Sequence, residues 1–229
     1  MALNVVEKID DAVKINHVLA SVSDKTGLDR LIPGLIAVNP AIKIYSTGGT
    51  YKAIQEMLGP QKSAKNLVSV SSYTGQPEMQ GGLVKTLDFK IYLGLLSETY
   101  NPAHVADLKR TRGVAIDMIV VNLYPFKETV VKRDVTPELA RTNIDIGGPC
   151  MVRASAKNFL RVASVTDPAD YSRLLSELKS SGGRISLKTR FELAKKAFSH
   201  TAEYDTAISK YLAGRKFDDV AVCYKVQKG

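Results

Sequence analysis

Tryptophan is absent from the 229 residues, and cysteine occurs only twice, at Cys150 and Cys223. Two cysteines so far apart, with neither a CxxC nor a Cys/His spacing, exclude a disulfide framework and a structural zinc site, and they lead us to expect a reduced, cytoplasmic chain without metal. Long apolar runs are missing as well, so no segment is expected to cross a membrane. The opening MALNVVEKIDDAVK carries acidic residues and no greasy stretch, which is not how a signal peptide begins. Acidic residues are the minority charge, 23 against 32 Lys and Arg, for a formal net charge of +9. Such an excess favours an anionic partner. The basic residues are dispersed, and no aromatic-rich RNA-recognition or helix-turn-helix motif accompanies them, so a phosphorylated small molecule is expected rather than nucleic acid. A hydrophobic fraction of 45% suits one globular domain.

The pattern along the chain predicts an α/β fold. Residues 17–22 form a short apolar run that breaks at Ser23-Asp24-Lys25-Thr26-Gly27, after which Leu28, Leu31, Ile32 and Leu35 recur at helical spacing. A second strand, loop and helix follow at 42–45, Ser46-Thr47-Gly48-Gly49-Thr50 and 51–58, and two such units in succession favour a parallel sheet. Further strands are expected at 67–70, 91–96, 116–123 and 161–165, with a long polar loop over 71–85. Helices are expected over 103–112, over 137–141 behind Thr136-Pro137, from Pro149 through Lys157, from Asp167-Pro168 to near Gly182-Gly183, and over 186–212.

Ligands of parallel α/β sheets gather where strands end and helix N-termini expose their N–H groups. Ser23 to Gly27 and Ser46 to Thr50 each offer hydroxyls and backbone donors there, and Lys25 adds a cation; each loop also fits an ordinary capped βα turn. Neither matches a P-loop or a dinucleotide fingerprint, so no nucleotide cofactor is indicated. Lys85 and Thr86 follow a glycine-containing stretch, and Asn122 and Tyr124 leave the end of a buried strand. Asp145, Ile146 and Gly147 open the 149–157 helix, which carries Arg153 and Lys157 on one face. Taken singly, Lys85 and Lys157 read as solvated charges, Tyr124 as a rim residue and Asp145 as a cap.

Read in order, SVSDKTG (21–27), STGGT (46–50), TGQPEM (74–79), VKTL (84–87), VVNLYPF (120–126), IDIGGPCMVRASAKN (144–158) and AFSHTAEYDTAIS (197–209) resemble the IMP cyclohydrolase domain of the bifunctional purine-biosynthesis family, over nearly the whole chain. That resemblance implies a methylglyoxal-synthase-like α/β/α sandwich with a mostly parallel sheet, as one domain over 1–229 with a core of about 16–166 and a helical extension of about 167–229. It implies a homodimer, no cofactor, and closure of 5-formamidoimidazole-4-carboxamide ribotide to IMP with loss of water. Lys85, Tyr124, Asp145 and Lys157 fall on the family's catalytic positions: Asp145 accepting from the carboxamide NH₂, Lys157 stabilising the oxyanion, and Lys85 with Tyr124 orienting the formyl group. Ser23, Asp24, Lys25, Thr26 and the Ser46, Thr47, Gly48, Gly49, Thr50 loop fall on substrate-binding positions, the 5′-phosphate resting on Ser23, Lys25 and residues 47–50. Val84, Thr86, Asn122, Ile146 and Gly147 complete that set, with Thr86 and Asn122 as base or ribose contacts.

The sequence departs from the family pattern where Leu83 replaces an arginine and Asp88 a histidine, and where Tyr92-Leu93-Gly94 stands for His-Gly-Gly. Loss of a cation beside a phosphorylated ligand weakens its binding. No formyltransferase domain is expected within the 229 residues, so that either a separate enzyme supplies the formyl group or the sequence is part of a longer chain. Two other readings remain: a methylglyoxal-synthase-type lyase, whose aspartate and histidine arrangement is not found, and a purine-nucleotide-binding regulatory protein without turnover. His17, His104 and His200 are expected to be structural.

Overall fold

The computed structural model describes residues 5–76, 85–131 and 134–227. Leu83 and Val84, and half of the 74–79 motif, lie outside them. Strands β1 (Ala12–Lys14), β2 (His17–Val22), β3 (Lys43–Ser46), β4 (Leu67–Ser69), β5 (Met118–Asn122), β6 (Ala163–Val165) and β7 (Arg184–Ser186) form two sheets. Five of them make an all-parallel sheet in the order β4-β3-β2-β5-β6. The other two, β1 and β7, pair antiparallel.

Side chains of a strand alternate between faces, and both faces of the parallel sheet are buried. Val18, Ala20, Ile44, Met118 and Val120 point to one face, where they pack with residues of α1 (Leu28–Val38), α2 (Gly48–Asn66) and α9 (Tyr171–Ser180). Leu19, Tyr45, Ile119 and Val121 point to the other, where α4 (Phe89–Leu96), α8 (Gly147–Lys157) and α10 (Leu187–Ala213) cover them. With α7 (Pro137–Thr142) adding Ala140 to the second face, and α5 (Pro102–Thr111) and α11 (Phe217–Ala221) burying no residue, this is the expected three-layer α/β/α arrangement, with a long helix toward the C-terminus. That helix contributes to the core: Leu193 packs on the first face and Ala194, Ala197 and Tyr204 on the second. Its Arg190 is fully buried and donates to the carbonyls of Asp10, Asp11, Phe159, Leu160 and Ile185, fastening the N-terminal segment to α10.

One expected strand is a helix. Residues 91–96 belong to α4, whose N-cap Asp88 accepts the backbone N–H of Lys90 at 2.8 Å. Ile91, Gly94 and Leu95 are its buried positions, at helical spacing. A short apolar run is compatible with either element, and here the cap and the close packing of Gly94 on Val114 and Ile116 select the helix. The expected loop over 71–85 likewise begins with a short helix, α3 (Val70–Thr74).

Candidate active site

The parallel strands deliver β2, β3 and β5 to one edge, and the loops that leave them enclose an open cleft of ≈ 810 Å³, a size usual for a small-molecule site. Ser23, Lys25, Thr47, Gly48, Gly49, Thr50, Lys85, Thr86, Asn122, Tyr124, Asp145, Ile146 and Gly147 all line it.

The floor of the cleft is the N-terminus of α2. Gly48 has φ +55, a left-handed conformation in which a larger residue is strained. The Lys85 Nζ lies 3.9 Å from where a Cβ on Gly48 would stand, and the Lys25 Nζ lies 4.0 Å from the same point on Gly49. Two ammonium groups thus flank the positive end of a helix dipole. Cations beside such an end suit it to an anion.

Several neighbours hold these loops in place. The Asn122 Oδ1 accepts the backbone N–H groups of Ser23 and Asp24 at 2.7 and 2.9 Å, while its Nδ2 donates to the Asp24 carbonyl at 2.8 Å. Its amide thus holds the 23–24 loop while the residue also lines the cleft. Thr50 Oγ1 accepts from the Val22 N–H at 3.0 Å, locking α2 to the end of β2. The fully buried Ser46 donates to the Ala20 carbonyl, and Asp24 accepts from the Thr26 hydroxyl at 2.6 Å. Ser46, Asp24 and Thr26 do not line the cleft.

Asp145 stands at the opposite wall, where its Oδ1 accepts the N–H of Gly148 at 2.9 Å and so caps α8. Burial raises the Asp145 carboxyl above its ordinary range, and it does so against the backbone N–H groups of Gly148 and Gly147, which favour the ionised form. A carboxyl so held takes up a proton more readily than an exposed one. Gly147 leaves no room for a side chain, since a Cβ there would meet Thr86 Oγ1 at 2.5 Å. Lys85 and Thr86 therefore bridge the site, one beside the helix dipole and the next against the Asp145 turn. Tyr124, 58% exposed, stands at the rim.

Lys157 does not line this cleft. It is the last residue of α8, exposed, and at a rise of 1.5 Å per residue it lies about 15 Å along the axis from Gly147. The lining also includes residues the sequence reading passed over. Thr142, Asn143 and Ile144 precede Asp145 in the same turn, and Met151 lies one helical turn beyond Gly147, a spacing that signals a shared face. None of His17, His104 and His200 lines it.

Two family models match the chain: an MGS-like domain over residues 30–150 and the AICARFT/IMPCHase bienzyme over residues 155–228. Among curated proteins, the bifunctional purine biosynthesis protein PurH of Ruminiclostridium cellulolyticum is 46% identical over 198 residues, which are 86% of this chain and 37% of that protein. PurH of Leptospira biflexa is 45% identical over 203 residues, 89% of this chain and 38% of that protein. The chain thus spans well under half the length of these relatives. Among solved structures, the crystal structure of ForH superposes with a TM-score of 0.70 at 29% identity, covering 86% of this chain and 97% of the other.

Proposed function

The chain belongs to the MGS-like domain family, whose model accounts for more than half of it, and from that premise we propose that it is an IMP cyclohydrolase of purine biosynthesis. The substrate of this reading is the formamido carboxamide ribotide. Its carboxamide nitrogen attacks its own formyl carbon, a C–N bond forms, and the formyl oxygen leaves as water with one hydrogen from each nitrogen. Because both reacting groups belong to one molecule, much of the entropic barrier is already removed, and the protein has to orient them and move protons.

The observation that carries the reading is the pair of ammonium groups, Lys25 and Lys85, at the α2 N-terminus, in one cleft with a carboxyl whose proton affinity burial has raised. The 5′-phosphate rests on Ser23, Lys25 and Thr47 to Thr50, where charge and backbone N–H groups suit a dianion. Asp145 draws a proton from the carboxamide nitrogen as it attacks. Lys85 and Tyr124 orient the formyl oxygen and steady the negative charge that develops on it. No cofactor takes part.

The chain works as a homodimer in the cytoplasm, on a substrate that is the product of a formyl transfer. Lys157, outside the cleft of its own chain, serves the cleft of the second copy. The test is direct: incubate the protein with the formamido ribotide and follow IMP by absorbance. Turnover that Asp145→Asn removes upholds the assignment. Tight binding of IMP by a protein that does not turn the ribotide over overturns it, in favour of a nucleotide-binding regulatory role.

A further inference from the structure

The late motif AFSHTAEYDTAIS lies on α10 and sends no residue into the cleft lining, yet one of its side chains touches the site's supports at two points. Tyr204 is buried, with 7% exposure. Its Oη accepts the backbone N–H of Asp145 at 2.7 Å and donates to the Asn143 carbonyl at 3.4 Å. Both partners belong to the turn that carries Asp145. The ring of Tyr204 meets that of Phe126 edge-on, with centroids 6.2 Å apart and planes at 69°. Phe126 stands two residues after Tyr124 and opens α6 (Phe126–Val130). Tyr211, two helical turns beyond Tyr204, closes on the same Phe126 ring at 5.8 Å and 89°.

A phenylalanine at 204 would fill the same volume and keep the ring contact. The hydroxyl adds nothing to packing; it pairs two backbone groups that set the course of residues 143–145. In doing so it leaves the Asp145 carboxyl to the Gly148 N–H and the cleft. One side chain therefore ties together two separate stretches of the connection between β5 and β6, 59 residues away along the chain in the case of Asp145.

We propose that Tyr204 is a positioning residue: its hydroxyl fixes the turn bearing Asp145, its ring fixes the loop bearing Tyr124, and α10 thereby sets where the two groups stand relative to each other. The proposal rests on the cyclohydrolase reading of the cleft. A group held through a hydrogen bond to its own backbone loses orientation when that bond goes, and small displacements are costly in rate.

The experiment compares wild type, Tyr204→Phe and Lys25→Ala, counting functional sites in each preparation by the stoichiometry of IMP binding. Tyr204→Phe is expected to lower kcat per site about tenfold while KM moves less than about twofold. Lys25→Ala is expected to do the reverse, raising KM, and the double variant to show the product of the two effects because the two residues act on different loops. A purely structural Tyr204 would reduce the number of sites or the melting temperature and leave kcat per site at the wild-type value, and that result overturns the proposal. Tyr204→Leu, which also frees Phe126, should lose more rate than Tyr204→Phe; equal losses would overturn the part assigned to the ring. A wild-type protein that does not close the ribotide at all defeats the underlying reading instead, and is distinguished by the first assay in the series.

Discussion

Lys25 and Lys85 reach the N-terminus of α2 from two different loops, and their ammonium nitrogens lie within 4.0 Å of the positions that side chains on Gly49 and Gly48 would take. At these distances a side-chain carbon would make only ordinary contact with either nitrogen, and it is the left-handed φ of +55 at Gly48 that calls for glycine. Removing one of the two cations should weaken the anion site without disturbing the chemistry at the other wall. Lys25→Ala is expected to raise KM by about ten- to a hundredfold, the range of a lost charge-assisted hydrogen bond, with kcat nearly unchanged. Inorganic phosphate should compete with substrate in wild type and lose most of its potency in the variant. Steady-state kinetics with and without phosphate check both. An unchanged KM would mean that the phosphate rests elsewhere.

Asp145 supplies a pH dependence whose sign follows from its surroundings. Burial holds its carboxyl above the ordinary carboxylate value, against the opposing pull of the Gly148 and Gly147 N–H groups. If the ionised form receives the carboxamide proton, kcat/KM must fall on the acid side as Asp145 becomes protonated. That fall is expected at a pH above the value of about 4 typical of an exposed aspartate. A pH–rate profile of the free enzyme measures it, and Asp145→Asn should flatten the acid limb along with the loss of rate. An acid limb that persists unchanged in the residual activity of the variant would assign the titration to another group.

Much of this cleft is legible in the sequence, because βα units announce where their loops go. An apolar run followed by Ser23-Asp24-Lys25-Thr26-Gly27, and another followed by Thr47-Gly48-Gly49-Thr50, put two polar loops at strand ends of one parallel sheet. What resisted reading were facts of distance along the chain. Asn122 spends its amide on a loop almost a hundred residues earlier, and nothing in the local pattern of β5 says so. Tyr204 joins Asp145 across 59 residues. The misread strand at 91–96 has a different cause. Its composition suits both elements, and only Asp88 as a cap and the 91, 94, 95 spacing of buried positions pointed to a helix. The distance of Lys157 from the cleft, by contrast, was implicit in the rise of the helix from Gly147.

Arg161 and Asp117 form a buried pair, 3.1 Å apart, at the end of the sheet away from the cleft. Arg161 also donates to the carbonyls of Gly94 and Ser97, and Asp117 accepts the N–H groups of Asn16 and His17. Taking away one member strands the charge of the other in the interior. Arg161→Met is therefore expected to cost about 3–5 kcal/mol of stability, measured by urea denaturation. The rate per folded site should stay at the wild-type value, because Gly94, Ser97 and Asp117, to which Arg161 donates among the described residues, are not in the cleft lining. A loss of rate without loss of stability would show that the pair acts on the site after all.

Lys157 gives the most demanding prediction. It closes α8 on the exposed surface while the first turn of the same helix faces the cleft, so Lys157 stands apart from the Asp145 of its own chain. If the lysine acts in the cleft of a second copy, Lys157→Ala and Asp145→Asn are each inactive alone but complement when mixed. Random reassociation makes half of the dimers mixed, and each of these has one cleft with both groups intact and one with neither. Activity should then recover to about a quarter of wild type. Were each chain to use its own lysine, every cleft in a mixed dimer would carry one defect and nothing would be restored. The recovered fraction, read after mixing equal amounts under mild dissociating conditions, therefore decides which chain's Lys157 a given cleft employs.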